Sequence, residues 1–425
     1  MPADPVFGIP GFLVGHANQS PAADRVQVAQ VDDPAEQVVP VTQMLETRAI
    51  LEKLVSFPSI SEASNLEMIT WIEEFLGARG FSCHRLPDSS GKKAGLFASF
   101  PTEGYGGVLL SAHSDVVPVK GQDWASDPFC LSERDGRLYG RGAADMKGFL
   151  ACMLNAADKA SRTGLSQPLK LAISYDEEVG CRGIADMIGH LDTTIGTPRI
   201  CIVGEPTSMR LVVGHKGKTA MHATCRGRAG HSSQAPEFVN ALHLATDLVG
   251  AIRALQESHR DEGPQDPAFG VPHSTLHVGR LHGGVALNIV PDLAEIELEF
   301  RHLADDWPDT MVQRIRHAAE EISSRAREID PECGITVDVV NAYPGLDTAS
   351  DSEAIRVVSH RLGDQASRKV DFGTEGGFFA AAGVPTVVCG PGSITVAHKP
   401  DEFVEISQLD ECDAFLERLV TEELG

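Results

Sequence analysis

Short apolar runs that break off into polar residues recur through the first half of this chain, and stretches of helical periodicity separate them. Leu96 to Phe100, Val108 to Val117, Leu169 to Tyr175 and Ile200 to Val203 have the length and apolar content of buried strands. Helices are expected between and around them. Ile50, Leu51, Leu54 and Val55 recur at helical spacing in Thr42 to Val55. Ser64 with Glu67 forms a capping box for a helix that Gly80 ends, and further helices run to about Ser161 and over Ile184 to Leu191. Strands that alternate with helices and release polar residues at their carboxyl ends describe an α/β sheet with a ligand crevice along that edge.

The periodicity changes after about His215. In Leu293 to Arg301, Ile296, Leu298 and Phe300 fall on one face and Glu295, Glu297 and Glu299 on the other. Such alternation marks an antiparallel sheet with one face towards water. With strands at Lys218 to Cys225 and Ser274 to Leu281, and helices at Val239 to Leu255 and Thr310 to Arg327, this segment reads as a second domain inserted into the first. The α/β pattern resumes near Tyr343 with helices at Ser352 to Leu362 and Thr374 to Ala382, a strand at Thr386 to Cys389 and a helix at Leu409 to Leu419. Two domains suit 425 residues, beyond the size at which a single core keeps growing. A formal charge of -24 repels phosphates, so no nucleic-acid partner is expected. Nine cysteines without a C-x-x-C pair read as scattered core thiols, Cys181 and Cys389 among them, in a reducing compartment. With no apolar run long enough to span a bilayer and no signal-like start, the expectation is a cytoplasmic protein without a membrane partner.

The polar residues at the strand ends carry the chemistry. His113 and Asp115 share a face if the strand continues through them, which makes a metal-ligating imidazole and the carboxylate that orients it. Asp145 follows a Gly140 and Gly142 turn, Glu177-Glu178 follow one strand, Glu205 another, and His398 lies in a Gly/Pro-rich loop. Two histidines and three carboxylates suit two divalent ions of mixed N/O ligation, with Asp145 the natural bridge. Glu177 is left over. A carboxylate beside the ions but not bound to them can carry a proton from water to a leaving nitrogen.

These residues carry a family resemblance. Ser111-Ala112-His113-Ser114-Asp115, the run Gly140 to Gly148 around Asp145, Asp176-Glu177-Glu178-Val179-Gly180, Gly204-Glu205-Pro206-Thr207 and Ala397-His398 resemble the acetylornithine deacetylase, succinyl-diaminopimelate desuccinylase and aminoacylase family. From about Gln43 onward, motif order and domain order both match. Phe372 to Gly377 and Val388 to Phe403 look most like the acetylornithine deacetylase branch, whose pattern is broken at Gly376-Gly377, where an alanine is expected.

The resemblance implies a zinc-peptidase-like mixed sheet flanked by helices, with an inserted α+β, ferredoxin-like lid that also forms a homodimer. The divisions are then an extension of unknown role (1–40), a catalytic domain in two parts (41–215 and 342–425), and the lid (216–341). It implies two Zn2+ per subunit, with Co2+ able to stand in: His113, Asp145 and Glu205 on one ion, Asp145, Glu178 and His398 on the other. Asp115 would orient His113, Glu177 would be the general acid/base, and His231 would reach across the dimer to polarise the scissile carbonyl. Asn288 and Arg301 match positions that hold the substrate carboxylate, and Thr374 and Glu375 belong to the substrate pocket, with Glu375 available to a side-chain ammonium. Without the resemblance, the Gly230-His231-Ser232 run also reads as a turn and Arg301 as an ordinary surface ion pair.

The expected reaction is hydrolysis of an N-acetylated amino acid, N2-acetyl-L-ornithine first, as in arginine biosynthesis. Another N-acyl amino acid deacylase, the desuccinylase or a small metallopeptidase are rivals of the same class. A two-metal phosphotransfer enzyme or nuclease would want basic residues near oxygen-rich ligands, which this composition opposes. A non-catalytic dimeric relative would have lost ligands or the base, and all are present.

Overall fold

A computed structural model describes residues 46–101, 104–363 and 366–425. The extension at 1–40 and the start of the helix expected from Thr42 lie outside the described residues. The first helix described is Thr47–Val55, with Ile50, Leu51, Leu54 and Val55 buried as its period requires.

The architecture is α/β, as the strand–helix alternation predicts, and its sheet is mixed and flanked by helices, as the resemblance implies. Its nine strands include the path Ser82–Pro87, Ala94–Phe100, Leu169–Ser174, Val108–His113, Ile200–Val203, Thr386–Val388, Val212–His215 and Leu346–Asp347, with Arg368–Val370 paired beside Val212–His215. The central strands are buried on both faces. Along Val108–His113, Val108, Leu110 and Ala112 join one core while Leu109 joins another, and Ile200 and Ile202 alternate with Cys201 and Val203 in the same way. Helices Thr47–Val55, Leu66–Gly77, Lys147–Ala160, Glu353–Arg361 and Ile406–Leu419 cover the first face; Arg182–Met187 and Gly376–Ala381 pack on the second.

A second sheet has its own core. Its four antiparallel strands run in the order Thr275–Gly283, Leu293–His302, Gly217–Arg226, Gly334–Tyr343. Helices Ala241–Glu262 and Pro308–Arg327 pack on one side, giving the βαββαβ succession of a ferredoxin-like unit. Ile296, Leu298 and Phe300 point into that core, as their alternation predicts. The chain passes between the sheets twice, and the crossings touch. A Cβ on Gly217 would lie 2.3 Å from the His302 ring and 2.6 Å from the Gly345 nitrogen, so only glycine fits there.

Some local expectations give way to tertiary contacts. The second helix is Leu66–Gly77 and no Ser64–Glu67 box forms. Instead Asn65 bonds both backbone groups of Ala94 and donates to Ser114 Oγ, which ties the helix start to the sheet. The strand expected through Val117 stops at His113, where Ser114 N–H turns to the Ser174 carbonyl. Ser82–Pro87, Val212–His215 and Gly334–Tyr343 are strands that the apolar runs did not single out. Among the described residues no helix is long and apolar enough to cross a membrane.

Candidate active site

Three parallel strands end at one level. Val108–His113 lies between Leu169–Ser174 and Ile200–Val203, with His113 opposite Ser174 and Ser111 opposite Val203. The residues that follow each strand therefore emerge together. Asp176 adopts φ 53°, a left-handed conformation that turns the chain sharply, so the Glu177 amide donates to Asp115 Oδ1 at 3.0 Å and the Glu178 amide to Asp115 Oδ2 at 3.4 Å. Asp176 itself is buried, accepting from Glu62 N–H at 2.8 Å and pairing with Lys93.

Asp145 is the centre of the cluster. Its Oδ1 lies 3.2 Å from His113 Nε2, and its Oδ2 lies 3.2 Å from His398 Nε2. Glu205 Oε1 is 3.9 Å from His113 Nε2, and Glu178 Oε2 is 2.9 Å from His398 Nε2. Asp145 thus faces both histidines, with Glu205 on the His113 side and Glu178 on the His398 side. Glu177 is close by: ligand atoms of His113, Glu177 and Glu205 lie within 4.8 Å of one another, as do those of His113, Asp145 and Glu178.

This donor set fits a pair of divalent cations. Donors about 2.0–2.2 Å from a tetrahedral ion are about 3.3–3.6 Å from each other, the range around which the separations here scatter. Glu178 Oε1 and Glu205 Oε1 are buried without a hydrogen-bond partner, an arrangement that costs free energy unless something positive meets them. Asp145, Glu177, Glu178 and Glu205 are four carboxylates, and two divalent ions bring four positive charges. His113, Asp145 and Glu205 are almost wholly buried, while the His398 side chain is 49% exposed and sits on the outer wall.

The proton affinities reflect crowded negative charge. Burial pushes Glu177 up to about 8, with Glu178, Glu375 and Asp145 adding to the rise and His113 opposing it. Burial and Asp145 push Glu178 up to about 7 despite the His398 contact. His398 is drawn up to about 10 by its hydrogen bonds to Asp145 and Glu178. Burial alone would lower His113, but its contacts with Asp115 and Asp145 outweigh that and hold it well above the usual imidazole range. Burial opposes ionisation of Asp145, yet the two imidazoles hold it below the usual carboxylate range.

Asp115 stands behind His113 in an unexpected way. Because the strand has ended, the closest partner of His113 Nδ1 is the Asp115 backbone carbonyl at 2.9 Å; the carboxylate is 3.5 Å away. That carboxylate instead gathers Ser61 Oγ–H at 2.7 Å and the amides of Glu177 and Glu178. It braces the turn that carries the spare carboxylate. Cys181 adds a second brace, its thiol donating to Glu177 Oε1 at 3.3 Å.

The remaining residues lie elsewhere. Glu375 is fully buried, accepting from Ser111 Oγ at 3.3 Å and from Ser174 Oγ, so its carboxylate is spent beneath the strand ends rather than offered to a ligand. Burial pushes it up to about 7. Thr374 is buried and accepts from the Gly376 amide at 3.0 Å. Gly377 has a steric reason, since a Cβ there would lie 2.2 Å from the Pro344 carbonyl oxygen, whereas a Cβ on Gly376 would meet only side-chain atoms, the nearest being Thr374 Oγ1 at 3.1 Å. Arg301 donates to Glu299 at 2.9 Å on the second sheet. His231 and Asn288 are adjacent on a two-stranded ribbon, Ser232 N–H meeting the Asn288 carbonyl at 3.1 Å. Both are exposed, and no hydrogen bond among the described residues connects them with the cluster. Sequence reading missed Ser61 and Asn341, whose Nδ2 donates to Gly180 O at 2.8 Å; polar residues in an ordinary loop and strand carry no signal of such partners.

The profile described as Peptidase family M20/M25/M40 matches residues 109–422. An M20 family metallo-carboxypeptidase from Sulfolobus solfataricus superposes with a TM-score of 0.71 at 19% identity, over 89% of this chain and 99% of that one. The aminopeptidase PepT from Bacillus cereus gives 0.66 at 19% identity, over 89% and 99%. A Bacillus subtilis protein described as a dinuclear metal-binding peptidase of the M20 family gives 0.61 at 16% identity, over 89% and 97%. At these identities the likeness is one of fold.

Proposed function

The chain belongs to peptidase family M20/M25/M40, a family of hydrolases, and from that premise we propose that it is a two-metal amidohydrolase that removes an acyl group from the α-nitrogen of an amino acid. The observation that carries this reading is Asp145, whose two oxygens face His113 and His398 on opposite sides, with Glu177 alongside. His113, Asp145 and Glu205 would hold one ion, and Asp145, Glu178 and His398 the other; the N/O set suits Zn2+, with Co2+ as a substitute. Bound there, the pair supplies Lewis acidity for the amide carbonyl and makes water a nucleophile near neutral pH.

The residues divide the remaining work. Glu177 takes a proton from the attacking water as its oxygen bonds to the carbonyl carbon, then delivers that proton to the nitrogen as the C–N bond breaks, leaving a carboxylic acid and an amine, between which the acid proton then passes to give carboxylate and ammonium. Asp115 and Cys181 hold Glu177 in place for both transfers. The lid of a second copy would bring His231 to the developing oxyanion and Asn288 to the substrate carboxylate, in keeping with their exposure and with the absence, among the described residues, of a hydrogen bond from them to this chain's own cluster. Arg301 would complete that carboxylate site once released from Glu299.

N2-acetyl-L-ornithine is the first substrate to test, on the strength of the C-terminal motifs alone, since Glu375 is occupied by two serines. Acetylornithine, acetylcitrulline, acetylmethionine, succinyl-diaminopimelate and a dipeptide assayed side by side identify the class. Glu177→Ala with the preferred substrate tests the chemistry: metal content stays near wild type and turnover falls by at least about 100-fold. Retained activity in a metal-replete variant removes Glu177 from its role.

A further inference from the structure

Two of the candidate ligands come from loops far apart in sequence, and one hydrogen-bond network, buried at Arg141 and Glu402, joins them. Glu402 is 1% exposed; its Oε1 accepts from the backbone amides of Ala144 and Asp145 at 2.9 and 3.0 Å. Its Oε2 accepts from Arg141 Nη1 at 2.6 Å. Arg141 is equally buried and spends Nη2 on Gln122 Oε1, while Nη1 also reaches the Lys399 carbonyl at 3.3 Å. Gln122 Nε2 closes the path on the His398 carbonyl at 2.9 Å. A three-stranded sheet made of Ser132–Arg134, Arg137–Tyr139 and Phe403–Glu405 holds the ends of these loops together, and Gly140 N–H meets the Glu402 carbonyl at 3.0 Å.

The chemistry of this path is specific. His398 sits at φ 64°, a left-handed conformation that a non-glycine residue keeps only where its surroundings impose it. A planar guanidinium reaches a carboxylate and an amide together in fixed directions, which an ammonium does not. A carboxylate receiving two successive amides fixes the backbone from which the Asp145 side chain leaves. The network therefore sets where Asp145 stands and, through Gln122, where the His398 loop stands relative to it.

We propose that Gln122, Arg141 and Glu402 are positioning residues that fix the separation of Asp145 and His398, and so determine affinity at the ion position these two share with Glu178. The proposal rests on the two-ion reading above. Glu402 and Gln122 act through the backbone of Asp145 and His398, and Arg141 acts through Glu402 and Gln122.

The test is a zinc titration of the metal-free full chain against a chromophoric chelator, with thermal melts in parallel. Wild type binds in two steps. Gln122→Met keeps side-chain length and removes all three side-chain hydrogen bonds, to His398 and from Arg141 and Trp124, while Gln122→Glu keeps the acceptor for Arg141 and Trp124 but loses the donor to His398. Both weaken one step by about 10–100-fold and leave the other within a few-fold; Gln122→Glu leaves the melting temperature of the metal-free protein unchanged, whereas Gln122→Met lowers it, because the buried Arg141 Nη2 loses its acceptor. Arg141→Lys weakens the same step and also lowers the melting temperature, because a single ammonium in this buried position cannot meet Glu402, Gln122 and the Lys399 carbonyl together. Two wild-type steps that persist unchanged in both Gln122 variants overturn the network's role while leaving the two-ion reading intact, and so does a lowered melting temperature with both steps preserved. A wild type that takes up fewer than two ions overturns the two-ion reading and the proposal with it.

Discussion

Replacing Asp115 with alanine separates the two functions that meet at this residue. The carboxylate accepts two well-formed hydrogen bonds, from Ser61 Oγ at 2.7 Å and the Glu177 amide at 3.0 Å, and a weaker one from the Glu178 amide at 3.4 Å. A hydrogen bond to a charged group contributes about 1.5–3 kcal/mol, so the two good ones bound the loss at about 3–6 kcal/mol. Water entering the half-buried turn offsets part of this, and we expect a loss of about 2–4 kcal/mol by denaturant titration of the metal-free protein. Metal affinity falls less than the loss of a ligand's carboxylate partner would imply, because His113 Nδ1 keeps the Asp115 carbonyl at 2.9 Å. The expected drop is about tenfold, the low end for a residue behind a ligand. Turnover suffers more. With its amide unanchored, Glu177 moves relative to the reacting water, and a misplacement of about 1 Å costs about 100-fold in kcat, or about 2.7 kcal/mol. The assay is kcat at saturating zinc beside an independent zinc titration. A kcat loss that tracks metal occupancy and disappears at saturating zinc refutes the reasoning, because Asp115 would then act through His113 alone.

Three further outcomes follow from the geometry. In the metal-free protein, Glu177 is raised to about 8, Glu178 and Glu375 to about 7 and His398 to about 10, so the folded state holds protons that the unfolded chain releases. Each contribution is complete below the group's ordinary value and is lost as pH rises through the folded one, so metal-free melting temperature falls between about pH 5 and 8. Zinc would take the place of the protons on Glu178 and His398, and its stabilisation is therefore larger at pH 8; a metal-free melting temperature that rises over this range contradicts the assignment. Gly377→Ala places a methyl 2.2 Å from the Pro344 carbonyl oxygen and should cost about 1–3 kcal/mol of stability, whereas Gly383→Ala, at φ 84° with no neighbour in reach, should cost about 1 kcal/mol; equal costs from denaturant curves would show that the Pro344 contact yields freely. Cys181→Ala removes the thiol that holds Glu177 Oε1 and should lower kcat several-fold at unchanged zinc stoichiometry, with Cys181→Ser restoring most of it; equal rates for the two variants would show that the thiol only fills space.

The sheet and its crevice were legible in the sequence because burial on both faces forces continuous apolar strands, and the polar residues after Leu169–Ser174 and Ile200–Val203 could only emerge at the carboxyl edge. Leu293–His302 was legible for the complementary reason, since one wet face imposes alternation. Candidate ligands could be named from residue type and position at those ends. What lies behind them could not. Whether the His113 imidazole meets a carboxylate or a carbonyl depends on a strand ending one residue after Ala112, and that end is set by Ser114 bonding to the Ser174 carbonyl on the neighbouring strand. Glu375 reads as an available acid in its motif, yet packing presses it against Ser111 and Ser174. Gln122, Arg141 and Glu402 meet only because a small sheet brings Arg137–Tyr139 against Phe403–Glu405. The amino-acid sequence by itself determined which strands are buried, and hence which residues could be ligands. The tertiary structure alone decided which partners those residues have, because a hydrogen bond depends on directions and distances between segments that are remote in the chain.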